Sequence, residues 1–197
     1  MDRLDEVLAV ALPLLRRVDE LLGSEGAPPE HALWDQLRRV RLLPGDAVRA
    51  VAALRPDAFD DAVPALRADA RACAEVASGL PPPGDDWSGE AADAYTDLRT
   101  RVASHLSGDE ESLDERLEAS ADLAQALIDW MAQARAAVAT ALAEVLASSE
   151  ALSLTTSSDP PAAAEVATHV LRVVADAYAE ADDLLEGSAN LEVAIPM

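Results

Sequence analysis

Apolar residues recur at intervals of three and four along almost the whole chain, which is the period of one helical face. The rhythm breaks where Gly and Pro cluster. Leu4, Leu8, Ala11, Leu15, Val18 and Leu22 define a first helix, with a kink expected at Pro13 and a stop at Gly23. Gly26-Ala27-Pro28-Pro29 reads as a linker. Leu33, Leu37 and Val40 mark a short second helix ended by Pro44-Gly45, after which Asp46 is placed to cap a third that runs to Leu54. Val63, Leu66, Ala70, Cys73, Ala77 and Leu80 then form an unbroken heptad seam. Beyond the helix breaker Pro81-Pro82-Pro83-Gly84, the row Tyr95, Leu98, Val102 and Leu106 predicts another helix, with Asp86 or Ser88 as its N-cap.

At Ser107-Gly108-Asp109-Glu110-Glu111 a helix-stopping Gly is followed by an acidic first turn, so a break is expected there. Leu113, Leu117, Ala124, Ile128, Met131, Val138, Leu142 and Val145 predict a helix of about forty residues, ended by Ser148-Ser149 and by the Thr155 to Pro161 stretch. Val166, Val170, Val174, Ala177, Ala181 and Leu184 carry a last helix to Gly187-Ser188, with an extended or disordered tail after it. The fold class is therefore all-α.

Half of the 197 residues are apolar, enough for one domain or two small ones, but only 3% are aromatic. Ala, Leu and Val dominate, which implies thin helix-on-helix packing and not a deep pocket. Net charge is −22 and uneven: residues 1 to 56 hold 8 Arg against 9 acids, residues 57 to 197 hold 7 Arg against 28. Such a surface repels phosphate backbones and anionic lipid, which argues against nucleic acid or membrane as partner of the main body.

The single Cys73 excludes an internal disulfide and a cysteine zinc site, and its seam position predicts a small buried residue. Val7 to Leu15 is an apolar run, but its flank Asp2-Arg3-Leu4-Asp5-Glu6 is acidic where a cleaved secretory signal is cationic. No run approaches the roughly 20 apolar residues of a membrane span. Phosphate-loop, zinc-protease, calcium-loop and serine-hydrolase motifs are missing, and His31, His105 and His169 stand alone on different segments. No catalytic, cofactor or metal-binding residue is assigned.

Trp87-Ser88-Gly89 stands at the reversal between two helical segments and is followed by Glu90-Ala91-Ala92-Asp93-Ala94-Tyr95; Tyr178-Ala179-Glu180-Ala181-Asp182 lies late on the last helix. A Trp-X-Gly turn followed by small residues, with a C-terminal Tyr-X-X-X-Asp, resembles the WXG family of bacterial type VII (ESX) secretion substrates. The resemblance covers about Asp46 to Glu186 and implies an elongated antiparallel helical hairpin or bundle with additional N-terminal helices. It divides the chain into accessory helices at 1–45, a WXG-like hairpin and bundle at 46–187 and a tail at 188–197. It further implies that Trp87 and Gly89 form the turn and partner motif and that Tyr178 and Asp182 form an export signal read by the secretion machinery and its ATPase. A second WXG-like protein is a further partner on this reading, in a homo- or hetero-dimer, with export from the cytoplasm to the outside or the cell surface without a cleaved signal.

The first helix offers a complete apolar row, which the N-terminal segment is expected to lay over the seam of the hairpin. Two other readings stand beside export. One is a cytoplasmic helical adaptor. The other is a helix-turn-helix DNA-binding regulator built from Leu33 to Leu42, Leu43-Pro44-Gly45 and the helix from Asp46, with Arg38, Arg39 and Arg41 as its basic cluster.

Overall fold

A computed structural model of the chain describes the backbone of residues 2–192 and the side chains of residues 2–188. It is all-α: α1 (Arg3–Ser24), α2 (Leu33–Val40), α3 (Pro44–Ala52), α4 (Ala62–Gly79), α5 (Glu90–Leu106), α6 (Leu113–Leu146), α7 (Ser149–Thr156) and α8 (Pro160–Glu192). A 3-10 turn spans Pro56–Phe59, and no strand occurs among the described residues. The chain divides into two compact units, one comprising the chain up to Pro56 together with Asp129–Glu186, the other Asp57–Ile128 together with the segment from Gly187 onward. The sequence boundary between residues 45 and 46 falls inside α3.

In the first unit, α1 begins at a capping box: the Asp2 carboxylate accepts the N–H groups of Leu4 and Asp5, and Asp5 accepts that of Asp2 in return. The helix runs on through Pro13, whose exposed position leaves the buried row Leu4, Ala11, Leu15, Val18 and Leu21 uninterrupted. That row belongs to the core of this unit, and α1 packs against α3 and α7. Pro44 does not end α2. It opens α3 at the first helical position, where its missing N–H leaves no bond unmade, and α2 stops instead at Arg41, which adopts the left-handed conformation with φ of 59°. Leu43 is the N-cap of α3, and Asp46 lies in its first turn paired with Arg49 at 2.6 Å.

Leu142, Val170, Leu171 and Val174 complete this core against Leu15, Leu33, Val48 and Val51. The long helix predicted from Leu113 is interrupted after Leu146: the Ser148 hydroxyl accepts the Ala151 N–H, starting α7 at a bend of 60°. Asp159 caps α8 by accepting the Ala162 N–H at 3.1 Å. The expected stop at Gly187-Ser188 is passed, and α8 continues to Glu192, so Leu191 is helical and only residues 193–197 of the predicted tail lie outside the described ones. Gly costs a helix about 1 kcal/mol, which one residue near a helix end does not make decisive.

The second unit contains α4, α5 and the first part of α6, with α4 and α5 packed against one another. Only Val63, Ala70, Ala92, Ser112 and Ala121 are buried in Asp57–Ile128. Leu66, Cys73, Ala77 and Leu80 of the seam are half-buried, so Cys73 is more open than its position predicts. Arg67 ties α4 to α6, reaching Asp122 at 3.0 Å and Glu118 at 3.6 Å. The break around Gly108 is present, with φ of 103° at that residue and a cap in which the Ser107 and Ser112 hydroxyls donate to Asp114. Those donors hold the Asp114 carboxyl below the usual range.

Candidate functional site

The end of α4 exposes carbonyl groups that the helix itself cannot pair. Just beyond that end, two side chains from α5 hold the extended backbone: Tyr95 Oη donates to the Pro81 carbonyl at 2.9 Å and Arg99 Nε to that of the C-cap Leu80 at 2.9 Å. Between them, the Trp87 N–H closes a turn onto the Gly84 carbonyl at 2.9 Å. Gly89 is then the N-cap of α5, with its carbonyl accepting from Ala92 and Asp93 and no side-chain cap. Asp86 and Ser88 therefore do not perform the capping expected of them. A dihedral pair of 95° and −174° explains why Gly is the residue here, since that region is essentially closed to residues with a Cβ. Close helix approach is not the reason: a Cβ on Gly89 would meet nothing within 4 Å.

Trp87 lies with its ring centroid 5.3 Å from that of Tyr95, tilted by 42°, and stays 47% exposed. It rests on the start of α5 and is not a buried plug. Ala92 is buried and Arg99 and Ala103 are half-buried, whereas Leu98 and Val102 from the predicted apolar row are exposed.

Tyr178 and Asp182 lie one turn apart on α8, in the first unit. Tyr178 is half-buried and packs on the core; Asp182 is exposed. Just ahead of Tyr178, the Ala177 carbonyl accepts a hydrogen bond from Trp130 Nε1 at 2.8 Å. The Trp87 turn belongs to the second unit.

A buried guanidinium with several partners carries no sequence signature. Arg135, with a side chain 9% exposed, donates from Nε to Asp2 at 2.6 Å, from Nη2 to Asp5 at 3.1 Å, and from Nη1 to the carbonyls of Ala52 and Leu54. The guanidinium holds the Asp2 carboxyl down to about 2. Asp19 behaves oppositely: burial raises its pKa although it accepts the Gly45 N–H at 3.2 Å. Among the described residues no buried side-chain polar atom lacks a partner.

Two of the three histidines are fastenings. His31 Nδ1 accepts the Leu33 N–H at 3.1 Å, which leaves Nε2 to donate to Glu165 at 3.2 Å; His169 Nε2 meets Glu144 at 3.0 Å; His105 is exposed. No group of three or more His, Cys, Asp or Glu among the described residues is arranged to hold a metal ion. In the basic cluster, Arg38 pairs with Asp35 and Arg39 with Asp176 at 3.1 Å, while Arg41 is exposed. No single helix among the described residues is long and apolar enough to cross a membrane; the bent pair α6–α7 reaches that composition jointly, and its Val138, Ala139 and Leu142 are fully buried. Comparison of the chain with protein-family models, with curated proteins and with solved structures returned no match.

Proposed function

We propose that the chain is a non-enzymatic helical substrate or structural partner of a type VII (ESX) secretion system. In this reading α4 and α5 are the two arms of an antiparallel hairpin with Trp87-Ser88-Gly89 at its tip. Tyr178 and Asp182 are the export signal addressed to the machinery and its ATPase. The observation that carries the reading is the turn: a Trp-X-Gly tripeptide sits where the chain passes between two packed helices, its Gly is demanded by backbone conformation, and its Trp is left partly in water. An exposed aromatic beside a rigid turn suits recognition by another protein. The cytoplasmic adaptor reading shares these features but has no role for Asp182. The helix-turn-helix reading draws on α2, the Arg41 turn and α3, and loses strength because Arg38 and Arg39 are already paired with carboxylates.

The test is export from a bacterium that carries a type VII system, with the protein measured in the culture supernatant and in the cells. Trp87→Ala and Asp182→Ala should each leave the protein folded inside the cell and strongly reduce its appearance outside. Equal export of both variants and the parent, or export that persists when the secretion ATPase is deleted, overturns the assignment.

A further inference from the structure

His31 stands between two helices and holds a different one with each ring nitrogen. Nδ1 lies 3.1 Å from the backbone nitrogen of Leu33, the first residue of α2, and accepts its N–H; Nε2 lies 3.2 Å from a carboxylate oxygen of Glu165 on α8. A backbone amide is always the donor, so Nδ1 carries its lone pair and Nε2 the proton. The ring is neutral in this arrangement. Ala32, at the N-cap of α2, has no side chain that could take over the Leu33 N–H, and the His31 side chain is only 15% exposed, so water does not simply replace it.

A second proton on the ring goes to Nδ1, and an N–H cannot accept from another N–H. That nitrogen has an acceptor of its own within reach. Thr168 Oγ1 on α8 lies 3.5 Å away and gives its own hydrogen to the Ala164 carbonyl at 2.7 Å, which leaves its lone pairs toward the ring. Once protonated, His31 has both N–H groups satisfied on α8, by Glu165 and Thr168, and nothing left for α2. The other charged groups about it are Glu30, Asp35 and Arg38 of its own segment, which share a surface hollow with the ring and with Trp34, Asp35 and Arg38 being paired. Glu165 also lines a cleft with Glu144 of α6, Glu150 of α7 and His169 of α8.

We propose that His31 is an acid-sensitive cap of α2: protonation transfers Nδ1 from the Leu33 N–H to Thr168 and leaves the start of α2 uncapped. Histidine is the side chain whose ordinary charge change falls between pH 5 and 8, above the ordinary titration of Asp and Glu. The fully buried Leu33 side chain keeps α2 on the core, so the change is confined to its first turn, which presents Trp34 to solvent. The inference is independent of the export reading.

The experiment follows the full chain, isotope-labelled at nitrogen, by NMR from pH 8 to pH 5, reading the ring nitrogens of His31 and the exchange protection of the Leu33 amide relative to its intrinsic rate. At the alkaline end the ring should show the Nε2–H tautomer. As it takes its second proton, Leu33 protection should fall by about fivefold or more, the loss of one neutral hydrogen bond, with the helical circular dichroism spectrum unchanged. His31→Asn keeps an acceptor for the Leu33 N–H and cannot titrate, so protection should stay level across the range. Thr168→Val removes the second acceptor and should move the transition to lower pH. An Nδ1–H tautomer in the alkaline spectrum, or a ring that stays neutral throughout, overturns the proposal. So does Leu33 protection that holds while the ring protonates. The same loss in His31→Asn gives the effect to a neighbouring carboxylate, and an unmoved transition in Thr168→Val removes the transfer; either result also overturns it.

Discussion

Asp2 uses its two carboxylate oxygens for different tasks: Oδ1 accepts the N–H groups of Leu4 and Asp5 at 3.0 and 3.2 Å, while Oδ2 accepts Nε of Arg135 at 2.6 Å. The same side chain thus starts α1 and compensates a buried cation on α6. Removing either partner does more than remove one bond.

Arg135→Ala should lower stability by about 1–3 kcal/mol, because two carbonyls and two half-exposed carboxylates lose their donor. Arg135→Lys should recover only part of the loss, since one ammonium cannot reproduce the fork of a guanidinium. Urea denaturation of the three proteins measures both differences.

Acid should loosen the first unit through Asp2. Its folded pKa is depressed from 3.8 to about 2, so its contribution is present above pH 3.8 and is lost as pH falls from there toward 2. Partial exposure of Asp2 screens some of this effect. Asp19 has the opposite sign: its raised pKa makes the charged form a burden above that pKa, relieved as pH falls through it. Asp2→Asn should flatten the acid limb of a stability–pH curve, and Asp19→Asn should match or exceed the parent at neutral pH.

Three glycines should respond differently to Ala. Gly89→Ala should cost about 1–3 kcal/mol from backbone strain alone, as its φ is 95° and no neighbour lies near. At Gly45 the backbone is unremarkable but a Cβ would overlap the Asp19 carboxylate, so Gly45→Ala should destabilise by about 1–3 kcal/mol and be partly rescued by Asp19→Ala. Gly79, helical and open, should gain about 0.5–1 kcal/mol on becoming Ala. Thermal melts of the single variants and of the Gly45→Ala, Asp19→Ala pair separate these causes.

The two residues of the proposed export signal should differ in their cost to the fold. Tyr178→Ala removes a half-buried ring from the core and should lose about 1–3 kcal/mol, whereas Asp182→Ala should stay within about 0.5 kcal/mol. A secretion defect in Asp182→Ala at unchanged melting temperature would therefore speak to recognition and not to folding.

Helical periodicity and its Gly and Pro punctuation were sufficient to find every helix except α7, whose fresh start at Ser148 was read as the end of a longer helix. Boundaries failed where one residue has two local meanings. Pro44 stops a helix or opens one, and the choice was made by Arg41, whose left-handed backbone no spacing rule foretells. The row Tyr95, Leu98, Val102 was visible, but its orientation was not. In the structure Arg99 faces inward, bonded to a carbonyl 19 residues earlier, a pairing that no local pattern displays. Arg135 was wholly hidden, since its carboxylate partners lie 133 and 130 residues away and no motif links such positions.

That last separation bears on how the chain is born. The first unit is assembled from two stretches of sequence, the chain up to Pro56 and Asp129–Glu186, so α1 to α3 emerge from the ribosome well before the helices that complete their core. Translation at roughly 5–20 residues per second holds Leu15, Val48 and Val51 without Leu142 and Val170 for several seconds. During that interval α4 and α5, consecutive helices that pack on one another, can order first. The nascent N-terminal helices are then a window of exposed apolar surface that closes only when Arg135 and α8 arrive, and a chaperone has its opportunity in that window.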